Sequence, residues 1–139
     1  MTKSKFSADF ANLDAIRNFV GEAAEQAGFS GKEVYAVQLA ADEACSNVIE
    51  HAYAGQPDGE IEIDCNVMGG QITIVIHDHG KEFDISTVRK PNLSRDLSER
   101  EVGGLGVFLI YKLMDEVHFK SSKKTGNILT MVKRKSGDS

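Results

Sequence analysis

The sequence predicts an α+β domain: a two-layer α/β sandwich with helices on one face of a mixed, mostly antiparallel sheet. Three observations carry that expectation. Two amphipathic helical stretches come first, two alternating apolar stretches joined by a glycine pair follow, and a third apolar helix leads into a second strand pair. The 139 residues read as one domain, 1–139 with a core over about 9–134, large enough for an apolar interior without disulfide or metal staples.

Residues 1–8 are polar and read as a frayed end or a short edge strand. From Asp9 to Gly28 the apolar positions Phe10, Leu13, Ile16, Val20, Ala23 and Ala27 recur at three and four residues, an amphipathic helix stopped by Gly28. Ser30 followed by Glu33 is a capping box, so a second helix begins there and runs to about Tyr53, where the turn cluster Ala54-Gly55-Gln56-Pro57-Asp58-Gly59 ends it. Glu60 to Val67 and Gln71 to His77 flank Gly69-Gly70 and read as a β-hairpin. Residues 85–102 are polar and irregular and contain Pro91, the length and composition of a functional lid. Val107 to Met114 reads as a third helix. Glu116 to Ser121 and Asn127 to Lys133 read as two strands joined by Lys123-Lys124-Thr125-Gly126.

Composition narrows the function. The net charge of −5 argues against a general nucleic-acid surface, which needs clustered Lys and Arg. Cys45 and Cys65 show no ligand spacing and read as buried thiols. No charged-then-apolar leader opens the sequence, and its longest apolar runs, 72–76 and 107–111, are too short to cross a bilayer. The expectation is a cytoplasmic protein with no membrane or direct nucleic-acid role.

Three stretches carry chemistry. In the second helix, successive residues turn by about 100°, which gathers Glu43, Asn47 and Glu50 within roughly 60° of one another, opposite the arc of Val37, Ala41, Ala44 and Val48 that should face the sheet. A solvated polar face is one reading. The other starts from Asn, a poor helix former, set among small neighbours. Its carboxamide oxygen suits Mg²⁺, and Glu43 one turn earlier could take a proton from a hydroxyl presented to a phosphate. Next, Asp78 ends the apolar strand Ile72-Thr73-Ile74-Val75-Ile76 in an Asp-His-Gly turn. It either caps that turn or, with Gly80 opening the backbone to a flat ring, accepts from the amino group of a purine. Finally, Gly103, Gly104 and Gly106 precede the apolar run Val107-Phe108-Leu109-Ile110; free N–H groups at a helix start attract anions, although glycine clusters also serve as hinges. The chain has no Walker A loop and no dinucleotide fingerprint.

In this order and spacing the three stretches resemble the gyrase, chaperone, histidine-kinase and mismatch-repair (GHKL) ATP-binding superfamily, and within it the small RsbW-type anti-sigma factors. Ala41-Asp42-Glu43-Ala44-Cys45-Ser46-Asn47 is similar to the N box, Asp78-His79-Gly80-Lys81-Glu82-Phe83-Asp84 to the first glycine box, and Gly103-Gly104-Leu105-Gly106-Val107 to the second. The likeness spans nearly all of residues 10–134 and implies the histidine-kinase-like (Bergerat) ATPase fold. It implies ATP and Mg²⁺ as cofactors, Asn47 as the metal-holding and nucleotide-binding residue and Glu43 as catalytic base. It implies Asp78 and Gly80 at the adenine, and Gly103, Gly104, Leu105 and Gly106 at the phosphates. Thr130 is placed near the adenine by a looser strand alignment, and the lid offers Arg95 and Arg100 to the γ-phosphate.

The resemblance implies an ATP-dependent protein serine/threonine kinase that sequesters a sigma factor and phosphorylates a small STAS-type anti-sigma-factor antagonist, and it suggests a homodimer. The alternative is a nucleotide-responsive binding module of the same fold without kinase activity. The ATPase domain of a two-component histidine kinase is disfavoured by the absence of an upstream phosphoacceptor helix and by the short lid.

Overall fold

The computed structural model describes residues 2–54, 56, 58–82 and 102–136. Five strands form one sheet in the order β1-β2-β3-β5-β4, with β1 at Thr2–Ser7, β2 at Glu60–Met68, β3 at Gln71–Asp78, β4 at Glu116–Ser122 and β5 at Gly126–Arg134. All four pairings are antiparallel, so the mostly antiparallel sheet of the sequence reading is antiparallel throughout among the described residues. The reason is topological: both hairpins pair with themselves, and β5 rather than β4 lies against β3, running opposite to it. The N-terminal segment is the edge strand, not a frayed end.

Alternation divides the sheet. On β2 and β3, Ile61, Ile63, Ile72, Ile74 and Ile76 are fully buried, and Leu129 and Met131 of β5 join them on the same face. The helices cover that face. Helix α1 (Leu13–Gln26) follows a 3₁₀ turn at Phe10–Asn12 and contributes Ile16, Val20 and Ala24. Helix α2 (Gly31–Asn47) contributes Val37, Ala41, Ala44 and Cys45. Both halves of the capping box at its start are formed, with Glu33 N–H donating to Ser30 Oγ and Ser30 N–H to Glu33 Oε1. It continues through one π-helical turn, Val48–Ala52, and ends at Tyr53 as the sequence predicts. Cys45 and Cys65 are buried free thiols, and burial pushes Cys65 up to about 12, which makes it inert.

Helix α3 spans Val102–Leu113 and departs from expectation. The sequence reading starts it at Val107, because each glycine in a helix costs about 1 kcal/mol relative to Ala. Packing against α2 overrides that local preference and draws Gly103, Gly104 and Gly106 into the helix. Of the expected lid, residues 85–101, including Arg95 and Arg100, lie outside the described residues.

The β4–β5 turn delivers β5 to the end of β3 through Gly126, whose φ of +81° is the left-handed conformation. A Cβ there would lie 2.3 Å from the carbonyl oxygen of Asp78. Gly126→Ala is therefore expected to cost about 1–3 kcal/mol of stability, from overpacking together with the left-handed backbone. Chemical denaturation of the variant against the parent measures it.

Candidate functional site

Helix α2 lies between α1 and α3 in the helix layer, and this decides the fate of its polar face. Asn47 is only 4% exposed, so it is no part of a solvated surface; Glu50 stays exposed and Glu43 is half-buried. The side-chain nitrogen of Asn47, Nδ2, is wholly buried and has no hydrogen-bond partner among the described residues. Buried polar groups are nearly always paired. A carboxamide with an orphaned nitrogen at the junction of an α-helix and a π-turn is therefore a group held ready for something else, and π-turns recur at functional sites.

Glu43 reaches across to α3. A Cβ added at Gly106 would lie 2.5 Å from Glu43 Oε2, so the missing side chain at 106 is the space that the carboxylate uses. This gives Gly106 a second role beside the phosphate approach expected from sequence. Burial raises the Glu43 carboxyl above its ordinary value, and the neighbouring charges of Asp42 and Glu50 add to the shift. Asp42 itself is tied to Arg17 of α1 at 2.5 Å, which fixes this part of α2 against its neighbour. No cluster of three or more His, Cys, Asp or Glu side chains among the described residues is placed to hold a metal ion. A divalent ion here would thus take Asn47 and rely on waters and ligand phosphates for the rest, the habit of Mg²⁺. The carboxamide oxygen of Asn47 fits that donor set, and the orphaned nitrogen beside it is a donor that a phosphate oxygen would meet.

Asp78 closes the other end of the site at 1% exposure. Its Oδ1 accepts from the N–H of Gly80 at 2.9 Å and from Asn127 Nδ2 at 2.9 Å. It therefore does cap its own turn, but that bond uses one oxygen only. Desolvation raises its carboxyl, and the two hydrogen bonds and the imidazoles of His77 and His79 oppose the rise. The carboxylate and Asn127 also border a small interior void, with room for about one water, walled by Ala44 and Val48 of α2 and by Ile76, Phe119 and Leu129 of the sheet. Gly80 is needed for packing as well as access: a Cβ there would sit 2.5 Å from the carbonyl oxygen of Ala52, where Lys81 N–H already donates at 2.6 Å.

The remaining residues expected at the site divide into two groups. Gly103, Gly104 and Leu105 lie in the first turn of α3, where backbone N–H groups lack helical acceptors. Thr130 is not brought to this cluster. It alternates with Leu129 and Met131, which share the face of Asp78, and pairs instead with Val75 and His118 on the outer face. The β5 residue that meets Asp78 is Asn127, which the sequence reading misses. A signal for it exists: counting by two from Met131 and Leu129 puts a polar residue, Asn127, on the core face.

Comparison with known proteins identifies the family. Residues 6–133 match the histidine kinase-like ATPase domain family. The chain belongs to that family. Its sequence relatives place it with the RsbW-type members. It is 31% identical over 111 residues to the serine-protein kinase RsbW of Listeria innocua, covering 77% of this chain and 71% of that one. It is 30% identical over 125 residues to the serine-protein kinase RsbW of Halalkalibacterium halodurans, covering 87% and 75%. Among solved structures, the RsbU and RsbW domains of Rv1364c from Mycobacterium tuberculosis share the fold with a TM-score of 0.67 at 17% identity, over 96% of this chain and 32% of that one. The histidine kinase domain of Erythrobacter litoralis EL346 does so at 0.54 and 18%, over 94% and 62%. No helix among the described residues is long and apolar enough to cross a membrane.

The raised Glu43 carboxyl has a consequence for stability. Its folded value exceeds the unfolded one, so its contribution favours folding below the unfolded value and is lost as pH rises through the folded value. At neutral pH the ionised group therefore opposes folding. Glu43→Gln is expected to melt at or above the parent temperature near pH 7, with the difference vanishing below about pH 4. Thermal melts across that range measure it.

Proposed function

We propose that this chain is an ATP-dependent protein serine/threonine kinase that acts as an anti-sigma factor and phosphorylates a small STAS-type antagonist in a partner-switching system. The observation that carries the reading is the pairing of a buried Asn47 carboxamide, its nitrogen without a partner among the described residues, with a half-buried Glu43 carboxylate one turn earlier that reaches Gly106 of α3. The names of the relatives, serine-protein kinases of the RsbW type, support the activity and the amino-acid specificity. The resemblance extends the reading to a cytoplasmic protein that acts on protein partners rather than nucleic acid.

The residues divide the work. Asp78 accepts from the amino group of adenine, and Gly80 lets the ring approach the backbone beside it. The open N–H groups of Gly103, Gly104 and Leu105 face phosphate oxygens, helped by the helix dipole. Asn47 holds Mg²⁺, which when bound neutralises phosphate charge. Glu43 receives the proton of the substrate serine or threonine as its Oγ bonds to the γ-phosphorus. The bond from that phosphorus to the bridging oxygen breaks, and ADP leaves with the electron pair. A base should be ionised at working pH yet basic enough to take a proton, and burial moves Glu43 in that direction. A binding module without kinase activity has no use for such a group, which favours the kinase reading. Arg100 and Arg95 remain candidates for the γ-phosphate.

Incubation with labelled ATP and candidate antagonist domains tests the reading, and label on a serine or threonine of the antagonist is the expected result. Asn47→Ala should abolish Mg²⁺-dependent ATP binding. Glu43→Ala should keep ATP affinity and slow phosphoryl transfer by about 10²–10⁴-fold. Transfer at near-parental rate in Glu43→Ala would remove Glu43 as the base. The parental rate should also fall on acidification at a pH above the ordinary glutamate value, as Glu43 takes up its proton.

A further inference from the structure

Asp78 offers two oxygens, and the fold occupies one. Gly80 N–H and Asn127 Nδ2 both donate to Oδ1, while Oδ2 has no donor among the described residues. Asn127, 2% exposed, has both polar side-chain atoms engaged. Its Nδ2 also donates to the carbonyl of Lys81 at 3.0 Å, and its Oδ1 accepts from Ser121 Oγ at 2.5 Å. That set leaves the amide one orientation. Two pure acceptors, a carboxylate and a carbonyl, lie on one side and demand the NH₂; a hydroxyl on the other side donates to the oxygen.

We propose that Asn127, oriented by Ser121 and Lys81, is the positioning residue that presents Asp78 to the bound base as a one-way acceptor, and so sets a preference for 6-aminopurine over 6-oxopurine nucleotides. The inference rests on the nucleotide reading above and deepens it. A 6-amino group donates to a carboxylate. A 6-oxo group sets lone pairs against it, and an unmet buried polar group is what a site discriminates against most strongly. Discrimination therefore depends on Asp78 staying unprotonated, since a protonated carboxyl donates and would welcome the 6-oxo group. Burial favours the proton, and the donor from Asn127 opposes it. The other titratable groups around Asp78 are His77 and His79 at its own strand end and Cys45 and Tyr53 from α2 and its C-terminal cap.

Equilibrium binding of Mg-ATP and Mg-GTP to the full chain between about pH 6 and 9 tests this, with Asn127→Leu, Asn127→Asp and Ser121→Ala beside the parent. The parent should prefer ATP with an affinity flat across that range. Asn127→Leu, similar in size but without the donor, should weaken ATP roughly tenfold or more, lower the ATP-to-GTP ratio, and make ATP binding improve as pH rises. In Asn127→Asp two carboxyls in contact must share a proton, so GTP should gain on ATP and the ratio should become pH-dependent. Ser121→Ala should shift the ratio the same way by less, and this milder variant decides the matter if circular dichroism finds the Asn127 variants unfolded. A parent that binds ATP, with variants that keep its ratio and its flat profile, overturns this inference and leaves the nucleotide reading intact. A parent that binds neither nucleotide overturns both.

Discussion

Asp78 is taken out of water at the end of the central strand, and a carboxylate in that position costs several kcal/mol unless donors meet it. Much of the surrounding architecture supplies those donors. The turn after β3 must double back so that Gly80 N–H faces Oδ1, and Gly80 must lack a side chain because Ala52 closes over it. Strand β5 must lie beside β3 in the one register that sets Asn127 opposite Asp78. Gly126 must take a left-handed backbone to bring β5 in against the Asp78 carbonyl. A single slip of register would turn Asn127 to the outer face and leave the carboxylate with one donor fewer.

At the other end of the site, α2 carries an opposite imbalance. Its inner arc is ordinary core, Ala and Val against isoleucines of the sheet. Its polar arc would be solvated on an isolated helix, yet α3 packs against part of it and Asn47 is buried, its nitrogen without a partner among the described residues. Nothing in the described packing satisfies that nitrogen, and Glu43 beside it is pushed towards its protonated form. Local features that cost stability without compensation from the fold cluster where ligands bind, because the ligand supplies the missing partner. Among the described residues Asp78 keeps one oxygen without a donor and Asn47 keeps its nitrogen without an acceptor, so the two ends of the site ask for different things: a donor at one, an acceptor at the other.

Two of the expectations drawn from sequence fail for physical reasons that can be named. The start of α3 falls five residues late in the sequence reading because glycine's local helix penalty is visible there, whereas the contact with α2 that overcomes it is not. Thr130 is assigned to the nucleotide by alignment rather than by strand parity. Parity puts it on the outer face and brings Asn127 inward.

The sequence by itself determined the elements and the chemistry they carry. The helix periods, the Ser30–Glu33 capping box, the Gly69-Gly70 hairpin and the spacing of Glu43, Asn47 and Asp78 are all local patterns, and local patterns survive being read one window at a time. Tertiary structure decided which strands are neighbours, that the described sheet is antiparallel throughout, that Asn47 is buried rather than solvated, and that Asn127 and Ser121 orient Asp78. Those facts join residues as far apart as 78 and 127, and no window along the chain contains both halves of such a contact.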